Sequence, residues 1–257
     1  MKLGFIGTGV ITEAIIVGLQ KAEFPVDEIV ISARTRETSA RLAARFGNIR
    51  VCENNAEIAE TADILFLAVL PQHAEDVISS LEFRAGQQIV SVIATIPIEK
   101  LQGWTHPDAN ICRAIPLPSV ADLSCATVVF PPTPIVEALF DALGTAIPAH
   151  TIDEFDSFVV ASAMMGYYYG VSEAAAQWLG GQGVEYDNAR AYLATSFQNL
   201  ANTATNSPKE SFAELRERHS TPGGLNAQFF EQFVVEGGEQ ALDKAFESVS
   251  ARARSNR

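Results

Sequence analysis

Basic charge is scarce in this 257-residue chain. Its 18 Lys and Arg residues stand against 31 Asp and Glu, for a formal net charge of −13. Nucleic acids and anionic membranes are held by clustered cations, so neither is expected as a partner. A local basic spot can still hold one small phosphate. Cysteine is scarce too. Cys52, Cys112 and Cys125 are odd in number and show no paired spacing. That argues against a disulfide framework and for a reducing, cytoplasmic setting. Cys-x-x-Cys and His-x-x-x-His are both missing, so no metal site is expected. No segment offers about eighteen consecutive apolar residues, which removes a membrane span from the expectation. The opening MKLGFIGTGVITEA has the basic start of a secretory signal. Gly7, Thr8, Gly9, Thr12 and Glu13 interrupt its apolar run, and no small-residue cleavage site follows.

Two different periodicities divide what is present. Up to about residue 151, short apolar runs alternate with helical patterns. KLGFI at 2–6, EIVIS at 28–32, DILFLAV at 63–69, QIVSVIA at 88–94 and segments at 111–115, 126–130 and 145–149 read as strands. Apolar runs dense enough to be buried on both faces suit a parallel sheet. Strands alternating with helices give an α/β, Rossmann-type doubly wound sheet over 1–151, with its loops and ligands along one edge. From 152 to 257 only helical periods remain, at roughly 153–181, 186–206, 208–218, 223–236 and 239–254, separated by glycine and proline breakers. The first of these is apolar nearly all round, and such a helix must be covered on every side. A second subunit is therefore expected to help cover it, which makes 152–257 an all-α substrate and dimerisation domain.

The turn GFIGTGVITEA carries the strongest chemical signal. It follows a strand and opens a helix, as a dinucleotide-binding fingerprint does. Gly7 provides the tight turn. Gly9 lets the backbone approach a pyrophosphate lying on the helix amides, with Thr8, Val10 and Ile11 completing the turn. The third glycine of the fingerprint is Thr12, which implies either wider helix–strand packing or a contact centred on Ala14. NAD selection calls for an acid at the end of the second strand. That end reads Ser32-Ala33-Arg34-Thr35-Arg36. Arginine grips phosphate through two parallel hydrogen bonds and hydroxyls complete the shell, so NADPH is the expected cofactor, with NADH as the weaker alternative. Topology adds Asn55 near the adenine, Ala68, Val69, Pro71 and Gln72 beneath the ribose and pyrophosphate, and Ala94 near the nicotinamide.

GFIGTGVITEAI, SARTRE, ADILFLAVLPQ, ICRAIPLPSVA and STPGGLNAQ together resemble the pyrroline-5-carboxylate reductase family. The resemblance runs nearly end to end. It implies a dinucleotide-binding domain followed by a helical domain that interleaves with a partner chain, as a homodimer or a larger homo-oligomer. It also implies reduction of a cyclic imine bearing a carboxylate, 1-pyrroline-5-carboxylate to L-proline first of all. The family's substrate loop corresponds to Thr221-Pro222-Gly223-Gly224-Leu225-Asn226. Thr221, Gly223, Gly224 and Leu225 are then expected to hold the carboxylate through exposed amides at a helix start. Asn226 stands where the family has a threonine suspected of hydrogen-bonding the imine nitrogen. An amide donates a hydrogen bond but is no acid, so the proton must come from water, from a protonated iminium, or from Tyr168 or a neighbouring tyrosine.

The chain departs from the family pattern at Leu117 (in place of Asn), Pro118 (Thr), Leu70 (Lys), and at Met164 and Met165 in the small-residue helix. These leave open a reductase of another, bulkier imine or a ketone, and a non-catalytic NADPH-binding protein on the same fold. A deazaflavin-dependent NADP reductase shares the opening motif but should lack the Pro-Gly-Gly loop. Among the four histidines, His219 alone lies beside the substrate loop.

Overall fold

A computed structural model describes residues 1–255. The elements run β1 (Lys2–Ile6), α1 (Val10–Lys21), β2 (Glu28–Ser32), α2 (Arg36–Arg45), β3 (Ile49–Cys52), α3 (Asn55–Thr61), β4 (Ile64–Leu67), α4 (Ala74–Ser79), β5 (Gln88–Ser91), α5 (Ile98–Trp104), β6 (Asn110–Ile115), β7 (Cys125–Phe130), α6 (Pro134–Ala142) and β8 (Gly144–Pro148). The helices α7 (Ile152–Ser162), α8 (Met164–Gly181), α9 (Tyr186–Asn206), α10 (Phe212–Arg218), α11 (Leu225–Val235) and α12 (Gly238–Ser255) follow.

The eight strands form one sheet in the order β3-β2-β1-β4-β5-β6-β7-β8. All neighbours are parallel except β6 and β7, where Arg113 pairs with Phe130 in antiparallel register. The order reverses between β1 and β4, whose carboxyl ends lie side by side with Ile6 opposite Leu67. A crevice opens at such a reversal, and that is where doubly wound sheets bind ligands. Two apolar layers cover the sheet. On one face Phe5 and Phe66 stack with ring centroids 4.5 Å apart, among Ile15, Leu19, Ile29 and Phe140. On the other, Ile6, Val30, Leu65, Ile89 and Leu101 pack together. The β1, β2 and β4 residues are buried almost without exception, which explains why they read as unbroken apolar runs.

Two compact units emerge. One is Met1–Val159 together with the chain's end from Arg252, and the other is Val160–Ala251. The division thus falls inside α7, later than the 151/152 boundary suggested by the change of periodicity. A helix can begin in one unit and end in another without any change of period, so the sequence carries no mark of the crossing. The long apolar helix expected over 153–181 is likewise two helices, α7 and α8, broken at Ala163. Within the helical unit α8 remains largely uncovered: Tyr169 is 70% and Trp178 65% exposed, and only Ala176 is buried.

Candidate functional site

The glycine turn is held by one hydrogen-bond system that joins Gly7, Thr8, Thr12 and Ser32. Gly7 has φ +100°, a conformation that a side chain strains, and a Cβ there would run into the Ala68 carbonyl at the end of β4. Its N–H donates to Ser32 Oγ at 3.0 Å. Thr8 Oγ1 donates to the Ser32 carbonyl at 2.6 Å. Thr12 Oγ1 donates to the Gly7 carbonyl at 2.7 Å. Thr8, Thr12 and Ser32 are all buried. The missing third glycine is therefore a hydroxyl that satisfies the turn's own carbonyl.

Ala14, the alternative contact expected in place of the third glycine, is buried in the core. A close backbone approach on α1 falls at Gly18, where a Cβ would meet the Val120 carbonyl and the Leu143 side chain. Ser32 and the Thr8 hydroxyl, expected among the cofactor contacts, hold the turn from within.

Gly9 is different. It caps α1 with extended backbone and no side-chain hydrogen bond. Nothing lies within 4 Å of a Cβ built on it. The first amides of α1 thus face open space that only a glycine leaves free, which fits a pyrophosphate. Val10 beside it is 74% exposed. Glu13, in the same first turn, would repel an anion, but Arg41 of α2 binds it through both carboxylate oxygens at 2.7 and 2.8 Å. This pairing raises the Arg41 pKa above its ordinary value, chiefly through the hydrogen bond to Glu13.

Beyond Ser32, Arg34, Thr35 and Arg36 are exposed where α2 begins. Neither guanidinium has an ion-pair partner among the described residues. At the neighbouring strand end Asn54 caps α3 by accepting from Ala56 N–H at 2.9 Å, which leaves Asn55 half-buried on the first turn. From β4, Ala68 is anchored through its N–H to the Ile6 carbonyl at 2.9 Å. Val69 is buried, while Leu70, Pro71 and Gln72 stand exposed. The sheet edge therefore brings the Gly7 turn against Ala68 and Val69.

Arg113, to which the sequence pattern assigns no role, is given one by the fold. It is 3% exposed and lies within β6. Its Nη2 donates to the Ala94 carbonyl at 2.8 Å, its Nη1 lies 3.5 Å from Asp156 of α7, and its guanidinium sits 4.5 Å over the Phe155 ring. A buried arginine survives only when paired and stacked in this way. It fixes the loop after β5 at the edge of a cavity of about 260 Å³. The available signal was an arginine inside the apolar strand ICRAI. Leu117, the family's asparagine position, packs partly buried against the sheet core.

In the helical unit, Tyr168, His219 and Asn226 line one cavity of about 610 Å³ with Phe197, Phe212 and Phe229. Tyr168 packs edge-on to Phe197, centroids 5.4 Å apart. The loop from Thr221 to Asn226 is tight. Gly223 has φ +71°, Gly224 N–H donates to the Thr221 carbonyl at 2.8 Å, and Gly224 caps α11. A Cβ on Gly224 would clash with Thr221. Leu225 is 84% exposed at the start of α11. Asn226 Nδ2 donates to the His219 carbonyl at 2.7 Å, so this side chain braces the loop. No described helix is long and apolar enough to cross a membrane.

Two family models match successive parts of the chain. Residues 2–95 match the family model described as NADP oxidoreductase, coenzyme F420-dependent. Residues 153–256 match that of pyrroline-5-carboxylate reductase dimerisation. A pyrroline-5-carboxylate reductase of Haemophilus influenzae is 24% identical over 98% of this chain and 96% of its own. That of Pseudomonas aeruginosa is 26% identical over 98% and 95%. The 1-pyrroline-5-carboxylate reductase structure from Streptococcus pyogenes superposes with a TM-score of 0.83 at 24% identity, over 99% of this chain and 98% of that one. An NADP-oxidoreductase domain followed by this dimerisation domain, matched end to end by such relatives, places the chain in the pyrroline-5-carboxylate reductase family.

Proposed function

We propose that this protein is a cytoplasmic homodimer or larger homo-oligomer that uses NADPH to reduce a cyclic imine carrying a carboxylate, first of all 1-pyrroline-5-carboxylate to L-proline. The observation that carries the cofactor half is the open space over Gly9, together with Arg34 and Arg36, which have no ion-pair partner among the described residues. In this reading the α1 amides hold the pyrophosphate, while Arg34, Thr35 and Arg36 grip the 2′-phosphate. Asn55, Ala68, Val69, Pro71, Gln72 and Ala94 line the rest of the dinucleotide's path. Bound NADPH supplies the hydride, so the protein's own contribution is orientation and exclusion of water. Thr221, Gly223, Gly224 and Leu225 supply amides for the carboxylate. Tyr168 and Asn226, on the wall of one cavity, flank the imine. The uncovered face of α8, with Tyr169 and Trp178 exposed, supports burial by a second copy.

A second reading has its own support. The helical cavity is walled by Phe197, Phe212 and Phe229, and Met164 and Met165 replace small residues nearby in sequence. Such walls suit a bulkier, more apolar imine. The test follows NADPH consumption with pyrroline-5-carboxylate and with a panel of five- and six-membered cyclic imines. A kcat/KM of about 10⁴ M⁻¹s⁻¹ or more on the first compound supports the proline reading. Turnover confined to larger imines supports the second, and NADPH binding without turnover of any imine refutes both.

A further inference from the structure

His219 lines the helical cavity, and the reading above gives it no work. It closes α10, and its ring is held from one side. Nδ1 lies 2.8 Å from the Leu215 carbonyl. A carbonyl only accepts, so Nδ1 must carry a hydrogen. Its own carbonyl is held in turn by Asn226 Nδ2 at 2.7 Å. Backbone and ring are thus both fixed, and Nε2 has no hydrogen-bond partner among the described residues. The residue itself is exposed and lines the cavity shared with Tyr168 and Asn226.

We propose that His219 is a catalytic proton donor, delivering the Nε2 hydrogen to the imine nitrogen. The proposal rests on the imine-reductase reading. Reduction adds a hydride to the imine carbon and a proton to its nitrogen. Nε2–H breaks, N–H forms, and the imidazolium is left as a neutral imidazole that water reprotonates. Imidazole is the side chain whose charge ordinarily changes between pH 5 and 8, and an imidazolium is a far stronger acid than a phenol. It therefore suits this step better than Tyr168, while Asn226, which is not an acid, holds the loop that carries it.

The charged or titratable groups sharing the cavity wall are Arg216 of α10 and Tyr168 of α8; α9 and α11 contribute only uncharged side chains. The Arg216 cation lies 4.4 Å over the Phe230 ring, and Arg218 is tied to Glu210 at 2.7 Å.

The test compares kcat on pyrroline-5-carboxylate across pH for wild type, His219→Asn and His219→Gln. Asparagine can keep the bond to Leu215 while removing the second nitrogen, and glutamine keeps a donor that does not titrate. Both variants should bind NADPH as the wild type does. Both should lose about 10²-fold or more in kcat, together with any alkaline limb that belongs to the donor. An alkaline limb and kcat unchanged in the variants overturn the proposal while leaving the imine-reductase reading standing. A wild type inactive on every imine overturns both. Should the variants not fold, ¹⁵N NMR of the wild-type imidazole supplies the answer. L-proline should shift the Nε2 resonance and leave Nδ1 in place, and an unmoved Nε2 overturns the proposal.

Discussion

Replacing Thr12 tests whether the altered fingerprint is a defect or a different solution to the same turn. Thr12 is fully buried, and its hydroxyl holds the Gly7 carbonyl at 2.7 Å. Thr12→Val keeps the volume and leaves that carbonyl without its donor, at a cost of about 1–3 kcal/mol. Thr12→Gly restores the familiar motif but also removes buried carbon, worth roughly 0.8 kcal/mol per group, and adds backbone freedom. Its total should be on the order of 3–4 kcal/mol. Urea midpoints at one fixed protein concentration should therefore fall in the order wild type, valine, glycine, with the m-value unchanged. Affinity for NADPH, read by fluorescence, should stay near wild type for valine, because Thr12 faces the turn and not the open space over Gly9. A glycine variant as stable as wild type that binds NADPH more tightly would refute this reasoning. It would mean that position 12 limits the cofactor site.

Further outcomes follow from single observations. Gly9→Ala meets no protein atom, so it should leave stability nearly unchanged while weakening NADPH binding severely, as titration and thermal melting would report. Gly18→Ala drives a Cβ into the Val120 carbonyl and should do the reverse, lowering the melting temperature with less effect on cofactor binding. Arg34→Ala combined with Arg36→Ala should raise KM for NADPH far more than for NADH, since only the former carries the 2′-phosphate; equal losses would remove both arginines from that role. Cys52, Cys112 and Cys125 are all buried. Burial pushes the Cys112 thiol up to about 12, so an alkylating reagent at about pH 8 should label it only after unfolding.

Much of the fold is legible because buried parallel strands leave unmistakable apolar runs, and helices beyond residue 151 carry their own breakers. What escapes is instructive. β3, Ile49–Cys52, is only four residues long and carries Arg50, which pairs with Glu28 and Glu57, so no apolar run announces it. α5 begins just after Pro97 and turns only about twice. The break at Ala163 involves no proline or glycine, so α7 and α8 read as one helix. Ser32 looked like a phosphate ligand by composition. With both sheet faces buried, alternation does not reveal that its hydroxyl points back into the turn. Arg113 is visible only as a cation inside an apolar strand, and its partners Ala94, Phe155 and Asp156 come from segments distant in sequence. The 610 Å³ cavity gathers Tyr168, His219 and Asn226 from three places in the sequence, and only the substrate loop signalled it in advance.

The most direct measurement is the product. The full chain would be incubated with NADPH and pyrroline-5-carboxylate, and L-proline and NADP⁺ would be quantified together by mass spectrometry. Equal amounts of L-proline formed and NADPH consumed are expected, with little turnover from NADH. NADPH bound and left unoxidised, or oxidised only with other imines, would contradict the assignment of pyrroline-5-carboxylate as substrate.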